Sequence, residues 1–233
     1  QSAAGKTDKN GELTVPEVEQ TERHGVYIVG YTDGTFGPSR SMTRSEAAAI
    51  FARLLAEKNS DTISTAANTK FADIPAHAWY SGYVKYLSNN GITYGKNKTI
   101  FAPNDAITRA EFTTMAVRFF DVYGDGDAEI MEQFSGFNDV SSGYWAAEYI
   151  KYAALHGWIN GYGDGSFHAD REINRAEVVT IVNRLLGREA DEDYIADNLR
   201  KLNTFPDVTK RHWAYYAVME AANAHTAVLG ENE

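Results

Sequence analysis

The 233-residue sequence contains no cysteine, which excludes a disulfide framework and any thiolate metal site and suits an exported bacterial protein. It contains no run of about 18 apolar residues, the length a membrane-spanning helix needs, so no membrane insertion is expected. It has no surplus of basic residues either. Lys and Arg number 22 against 32 Asp and Glu, a net charge of -10. That argues against nucleic-acid binding, which usually needs a basic face, but leaves room for an anionic ligand held by a few local arginines. The opening QSAAGKTDKNGEL lacks the apolar stretch of a signal peptide, so a signal would lie outside this chain. Gly-x-Ser-x-Gly, Walker and His-Glu-x-x-His patterns are missing. The six histidines form no ligand cluster by spacing. Asp125-Gly126-Asp127 hints at calcium, but Tyr123 stands where an EF-hand places an oxygen ligand. No catalytic residue, metal site or cofactor is expected.

What the chain does have is one unit written three times, and repeats decide the fold before anything else. A first motif, the Arg helix, reads TRSEAAAIFARLL from Thr43, TRAEFTTMAVRFF from Thr108 and NRAEVVTIVNRLL from Asn174. Its apolar positions fall at identical offsets: Ala47, Ile50, Phe51, Leu54 and Leu55 in the first copy, with matching sets beginning at Phe112 and Val178. Steps of three and one make a single stripe on a helix. A second motif, the glycine loop, reads GYTDGTFGP from Gly30 and GYGDGSFHA from Gly161, while the middle copy, GKNKTIFAP from Gly95, has lost the Tyr and the Asp-Gly. Asp-Gly favours a tight turn, and Phe36, Phe101 and Phe167 keep register as plugs into a core. The third motif, the Trp helix, begins FADIPAHAW at Phe71, FNDVSSGYW at Phe137 and FPDVTKRHW at Phe205. Each Phe-x-Asp reads as a loop entering a helix, with apolar residues four, five and eight positions after Trp79, Trp145 and Trp213.

Together these motifs resemble the S-layer homology family, whose pattern is Phe-x-Asp, His-Trp-Ala, Gly-Tyr-x-Asp-Gly-Thr-Phe-x-Pro and Ile-Thr-Arg-Ala-Glu. The likeness runs from about Gly25 to Asn223, and the split first unit with its ERHGVYIVGY segment is similar to the version in surface proteins of gut Firmicutes. The resemblance implies a mainly α fold: three pseudo-symmetric helix–loop–helix repeats in a three-pronged spindle. It also implies inter-repeat grooves that bind secondary cell-wall polysaccharide through a pyruvylated N-acetylmannosamine, in an extracellular module of a larger polypeptide. The altered middle loop and Asn174 in place of Thr depart from the pattern and make the three grooves unequal in expectation.

Residue chemistry leaves several roles open. Thr43 with Glu46, Thr108 with Glu111 and Asn174 with Glu177 fit capping boxes. Arg44, Arg109 and Arg175 then occupy the first helical position, where the dipole opposes a cation by about 0.3–1 kcal/mol. An anionic ligand meeting the exposed amides and the guanidinium explains them; an ion pair to Asp73, Asp139 or Asp207 of a neighbouring repeat is the alternative. On the ligand reading, replacing them should leave stability little changed. Arg53, Arg118 and Arg184, nine residues on, need no special account there. Trp79, Trp145 and Trp213 read first as core, as most large aromatics at helical spacing do, and otherwise as sugar-stacking platforms. Gly30, Gly95 and Gly161 are turn formers that would also let a ligand approach the backbone. These nine Arg, Gly and Trp residues are the candidate ligand contacts. A helical protein-interaction or surface self-assembly module is the competing function, and a cell-wall glycoside hydrolase the third.

The boundaries follow from the repeats. Residues 1–20 read as a linker or expression remnant and 21–225 as one domain. Repeat 1 spans about 24–60, repeat 2 about 70–122 and repeat 3 about 136–187; 188–202 is a connecting helix and 226–233 a tail. The first unit lacks a Trp helix and the last Trp helix lacks its partner. The 203–225 helix is therefore expected to close the ring beside the 43–57 helix, since an isolated amphipathic helix would leave its stripe in water. Val26-Tyr27-Ile28-Val29 is strand-like, which predicts a short β element near 26–31.

Overall fold

The computed structural model describes residues 6–7, 13–14, 21–123 and 134–228. It is mainly helical, as the repeats imply. Among the described residues the helices are α1 (Arg44–Asn59), α2 (Ser81–Asn89), α3 (Arg109–Tyr123), α4 (Ala147–Leu155), α5 (Arg175–Leu185), α6 (Glu192–Asn198) and α7 (Tyr215–Ala222). Two short antiparallel pairs accompany them: β1 (Lys6–Thr7) with β2 (Leu13–Thr14), and β3 (Thr21–His24) with β4 (His225–Val228). Apart from β1 and β2, the expected linker lies outside the described residues, as does the Asp125–Asp127 loop. The expected tail begins inside β4.

α1, α3 and α5 are the three Arg helices, and the stripe read from the sequence is the core. Phe51, Leu55, Phe112, Phe119, Val178 and Val182 are all completely buried, with Phe51 against Phe112 and Phe119 at ring distances of 5.3 and 4.9 Å. α1 packs on α3, and α3 on α5. Just before each helix a backbone bond passes to another repeat. The Met42 amide donates to Ile173 O at 3.0 Å, Ile173 to Ile107 O at 3.0 Å, and Ile107 to Met42 O at 2.9 Å. These three bonds form a closed cycle, and all three side chains are fully buried beneath it.

Capping is complete at the starts of the three Arg helices. Thr43–Glu46 and Asn174–Glu177 form full capping boxes, and Thr108 and Glu111 exchange the same two bonds. The first two helical amides, left bare by any capping box, are not bare here. Arg44 and Ser45 donate to Asp105 O and Pro103 O, Arg109 and Ala110 to Arg171 O and Ala169 O, and Arg175 and Ala176 to Arg40 O and Pro38 O. Each Arg helix is thus seated on the chain segment that follows the glycine loop of another repeat.

The shorter helices flank this core pairwise: α2 against α1, α4 against α3, α7 against α5. The C-terminal helix therefore packs beside α5 and not beside α1 as expected. The flank of α1 is taken by α2, the Trp helix next in sequence, and α5, whose successor is α7, is the Arg helix left to cover. Closure onto the first unit is made instead by the loop. Phe205 lies 5.3 Å from Phe36, and the Asp207 carboxylate accepts the Phe36 and Gly37 amides at 2.9 and 2.7 Å. The other repeats carry the same latch: Asp73 on Phe101 and Ala102, Asp139 on Phe167 and His168. The second residue of each latched pair sits at positive φ, 67° at Gly37, 59° at Ala102 and 54° at His168. Two convergent bonds to a carboxylate offset that strain.

The β element also differs from expectation. It lies at 21–24, a few residues before the apolar run. Tyr27 and Ile28 are both buried while Val26 and Val29 are exposed, a pattern that does not alternate as a strand requires. Tyr27 instead fills the space between α5 and α7, its hydroxyl donating to Val179 O at 3.2 Å and its amide to Ala221 O at 3.3 Å.

Two tests follow. Removing residues 203–233 takes away the Asp207 latch, the cover of α5 and the partner of β3, so cooperative melting is expected to vanish. A truncated chain with the parent's transition by calorimetry would refute closure. Burial raises the Asp139 and Asp207 carboxyls, but their two amide bonds outweigh it and hold both below the ordinary 3.8. A depressed folded value stabilises above the unfolded value and is lost as pH falls through the folded one. The melting temperature should therefore drop below about pH 4, and Asp139→Asn with Asp207→Asn should flatten that slope while costing roughly 1–2 kcal/mol each at neutral pH.

Candidate functional site

Three grooves separate the repeats, each built from the same parts taken from different repeats. One, of about 210 Å³, is lined by Gly30, Tyr31, Glu46, Arg53, Trp79 and Arg175. The middle one, about 440 Å³, is lined by Arg44, Gly95, Lys96, Glu111, Arg118 and Trp145. The third, about 270 Å³, is lined by Arg109, Gly161, Tyr162, Glu177, Arg184 and Trp213. All nine candidate contacts read from the sequence fall here, one Arg, one Gly and one Trp to a groove.

The inner arginines are buried. Their Nε atoms donate to Phe101 O, Phe167 O and Phe36 O, each at 2.8 Å, so each Arg helix clamps the loop of another repeat. Nη1 of Arg44 meets Glu111 at 3.1 Å, and Nη1 of Arg109 meets Glu177 at 3.3 Å. Arg175 feels the charge of Glu46 in the same relation. Burial lowers the Arg109 and Arg175 values from the ordinary guanidinium range, with neighbouring Tyr and Glu opposing. The ion-pair partners of Arg44 and Arg109 are therefore the capping glutamates of the next helix, while the Asp73, Asp139 and Asp207 oxygens are taken by loop amides. The helix-start amides, expected to face an anion, are filled by backbone carbonyls. The stability argument changes with them: the guanidinium does not oppose a bare dipole but bonds a carbonyl and a carboxylate.

Trp79, Trp145 and Trp213 are 54%, 56% and 65% exposed, so they are not core. They stand in the turn just before the short helices. The buried phase begins one residue later, with Tyr80, Ala146 and Ala214, and continues at Val84 and Leu87, Ile150 and Ala153, and Val218 and Ala221. Offsets of one, five and eight form one helical face, and the indole at offset zero falls beside it, over the groove.

The glycines are fixed by packing. A Cβ on Gly30, Gly95 or Gly161 would stand 2.5 Å from Cε1 of Phe205, Phe71 or Phe137 and under 3 Å from a loop carbonyl. Their missing side chains let the Phe of the Phe-x-Asp latch pack directly against the glycine loop.

The sequence reading passed over the outer arginines. Arg53, Arg118 and Arg184 each line a groove wall nine residues after the helix start. Arg118 lies 4.9 Å from the Tyr149 ring and 4.8 Å from Tyr94, and Arg53 lies 5.1 Å from Tyr83. The available signal was their own threefold recurrence, masked by the favourable place of a cation late in a helix.

The middle groove differs. Asn97 accepts the Thr99 and Ile100 amides at 3.0 and 2.9 Å, the turn role that Asp33 and Asp164 play for Thr35 and Ser166, so the turn survives the substitution. What changes is the wall. Tyr31 and Tyr162 lie against Arg175 and Arg109 at 4.6 and 5.0 Å; the middle groove has Lys96 there, bonded to Asp105 at 2.8 Å. Arg109 and Arg175 spend Nη2 on Asn160 O and Val29 O, a bond without a counterpart at Arg44 among the described residues.

Three stretches, residues 14–48, 70–113 and 136–179, match the sequence model of the S-layer homology domain. Cell surface glycoprotein 1 of Acetivibrio thermocellus is 34% identical over 218 residues, 90% of this chain and 9% of that protein. The cellulosome-anchoring protein of the same organism is 31% identical over 234 residues, 99% of this chain and 49% of that protein. S-layer protein EA1 of Bacillus anthracis is 26% identical over 174 residues, 73% of this chain and 19% of that protein. The chain spans half or less of the length of each.

The geometry separates arginine from tryptophan. Arg109→Ala leaves the Phe167 and Asn160 carbonyls without their donor and removes one of the two cations on Glu177, and should cost roughly 3 kcal/mol. Each Trp→Ala should change stability by about 0.5 kcal/mol or less. Urea melts of the single variants check both; equal losses would refute the distinction.

Proposed function

The chain belongs to the S-layer homology domain family, and from that premise we propose that it is a non-catalytic module holding a larger surface protein on the bacterial cell wall by gripping an anionic secondary polysaccharide. The observation that carries the reading is the threefold recurrence of one groove, in which a buried guanidinium, an outer arginine and an exposed indole line the same wall. A sugar offers such a groove a flat apolar face for the indole and, when it bears a pyruvate ketal, a carboxylate for the guanidinium fork. The chain's overall net charge of -10 would repel that polymer, so attraction has to come from the cations in the grooves. Extracellular placement at the wall, the larger polypeptide and the pyruvylated N-acetylmannosamine of the family resemblance belong to the same proposal.

The grooves are proposed to be unequal. The middle one has the largest volume of the three, carries Lys96 beside Arg44 and Arg118, and among the described residues leaves the Arg44 Nη2 uncommitted to the backbone. It should bind the carboxylate sugar most tightly.

Co-sedimentation with purified walls tests the reading, using tryptophan variants because they keep the fold. Trp79→Ala, Trp145→Ala and Trp213→Ala together should abolish pelleting, whereas single variants should be partly hidden by avidity. Extracting the polysaccharide from the walls should release the parent chain; parent protein that still pellets points to a protein-interaction module instead. Calorimetry with the pyruvylated monosaccharide should resolve unequal sites, with Trp145→Ala weakening the tightest by about tenfold. Three identical sites would contradict the ranking.

A further inference from the structure

His24, Glu220 and His225 meet where the strand pair joins the last helix. His24 ends β3, Glu220 lies on α7 and His225 opens β4. His24 and Glu220 are buried, and the His225 side chain is only 7% exposed. The Glu220 carboxylate faces both rings, Oε1 at 2.8 Å from His24 Nδ1 and Oε2 at 3.1 Å from His225 Nε2. Spacing along the chain hid this group, because its two histidines lie at opposite ends of the sequence.

The outer nitrogens give the arrangement its meaning. His225 Nδ1 is 3.2 Å from Asn223 O. A carbonyl only accepts, so that nitrogen carries the proton and a neutral ring turns its Nε2 lone pair toward Glu220. His24 Nδ1 lies 2.8 Å from Glu220 Oε1 and its Nε2 3.9 Å from the Glu22 carboxylate; without a metal Glu220 accepts the Nδ1 proton, and a metal binding there would displace that proton. Two imidazole nitrogens and a carboxylate thus converge, their ligand atoms all within 4.8 Å of one another. The His225 ring has its far nitrogen on a carbonyl, the outer-shell pattern that orients metal-bound histidines.

We propose that His24, Glu220 and His225 form a structural site for a divalent transition metal of the zinc class. Two nitrogens and one carboxylate oxygen suit zinc, with a water as fourth ligand, better than a hard cation that takes only oxygen. The metal would pin both strands of the β3–β4 pair to α7 and so lock ring closure, a role separate from the grooves and from the wall-binding proposal.

The test uses the full chain stripped with EDTA and titrated with zinc chloride at neutral pH. One zinc should bind per chain, and the melting temperature should rise by about 5 °C at saturation. Cobalt(II) should give the visible d–d bands of a four-coordinate site, displaced by zinc. His24→Gln and His225→Gln should each weaken zinc by about a hundredfold or more. By histidine-detected NMR of the parent, the His24 and His225 ring signals should shift with zinc while the other four histidines stay still, a readout independent of whether the variants fold. A stripped parent that takes up neither metal overturns the proposal, leaving a proton-bridged clamp. Zinc that moves other histidines, or binds unchanged to folded variants, overturns it as well.

Discussion

A helix that starts inside a protein must find partners for its first amides, and here that single demand organises the molecule. Each Arg helix places its first two N–H groups on carbonyls that follow the glycine loop of another repeat, and its guanidinium reaches the carbonyl of that loop's Phe. No repeat can complete a helix start alone. Burial of the apolar stripe supplies most of the free energy, but the amides decide which repeat sits where. The cyclic bonds among Met42, Ile107 and Ile173 are the central expression of the same constraint.

The grooves come from this arrangement and need no separate scaffold. The arginine that clamps a neighbouring loop also lines the space beside it, the glutamate that caps the next helix holds that arginine, and the glycine that admits a latch phenylalanine lines the same groove. Fold and candidate site therefore share atoms. The exposed indoles are the place to separate recognition from folding, whereas the outer arginines also tie the long helices to tyrosines of the short ones.

Much of this was legible in the sequence, and the misses have physical causes. The Arg-helix stripe and the capping boxes were written in local offsets, so they could be read directly. The nine candidate contacts fell into three grooves because recurrence in fixed register survives folding. Trp79, Trp145 and Trp213 were misjudged because apolar character was counted from the indole, whereas the buried face starts one residue later. The role of Asp207 was hidden because its partners, the Phe36 and Gly37 amides, are backbone groups at the other end of the chain, and no side-chain pattern announces a backbone acceptor's need. The packing of α7 on α5 was missed because incomplete units invite completion of the nearest kind, while helix flanks are assigned by which surface is still bare.

The cycle of three backbone bonds also fixes a number. An open solenoid can gain or lose a repeat at its end, because each unit touches only its neighbours and the terminal face stays available. In this chain every helix-start amide and every seating carbonyl is already committed around a closed circuit. A fourth copy in tandem would have no free donor to join and would wedge the ring open. Copy number is thereby quantised: such a chain can lengthen its grip only by adding another whole ring, so gene duplications that fold should come in threes.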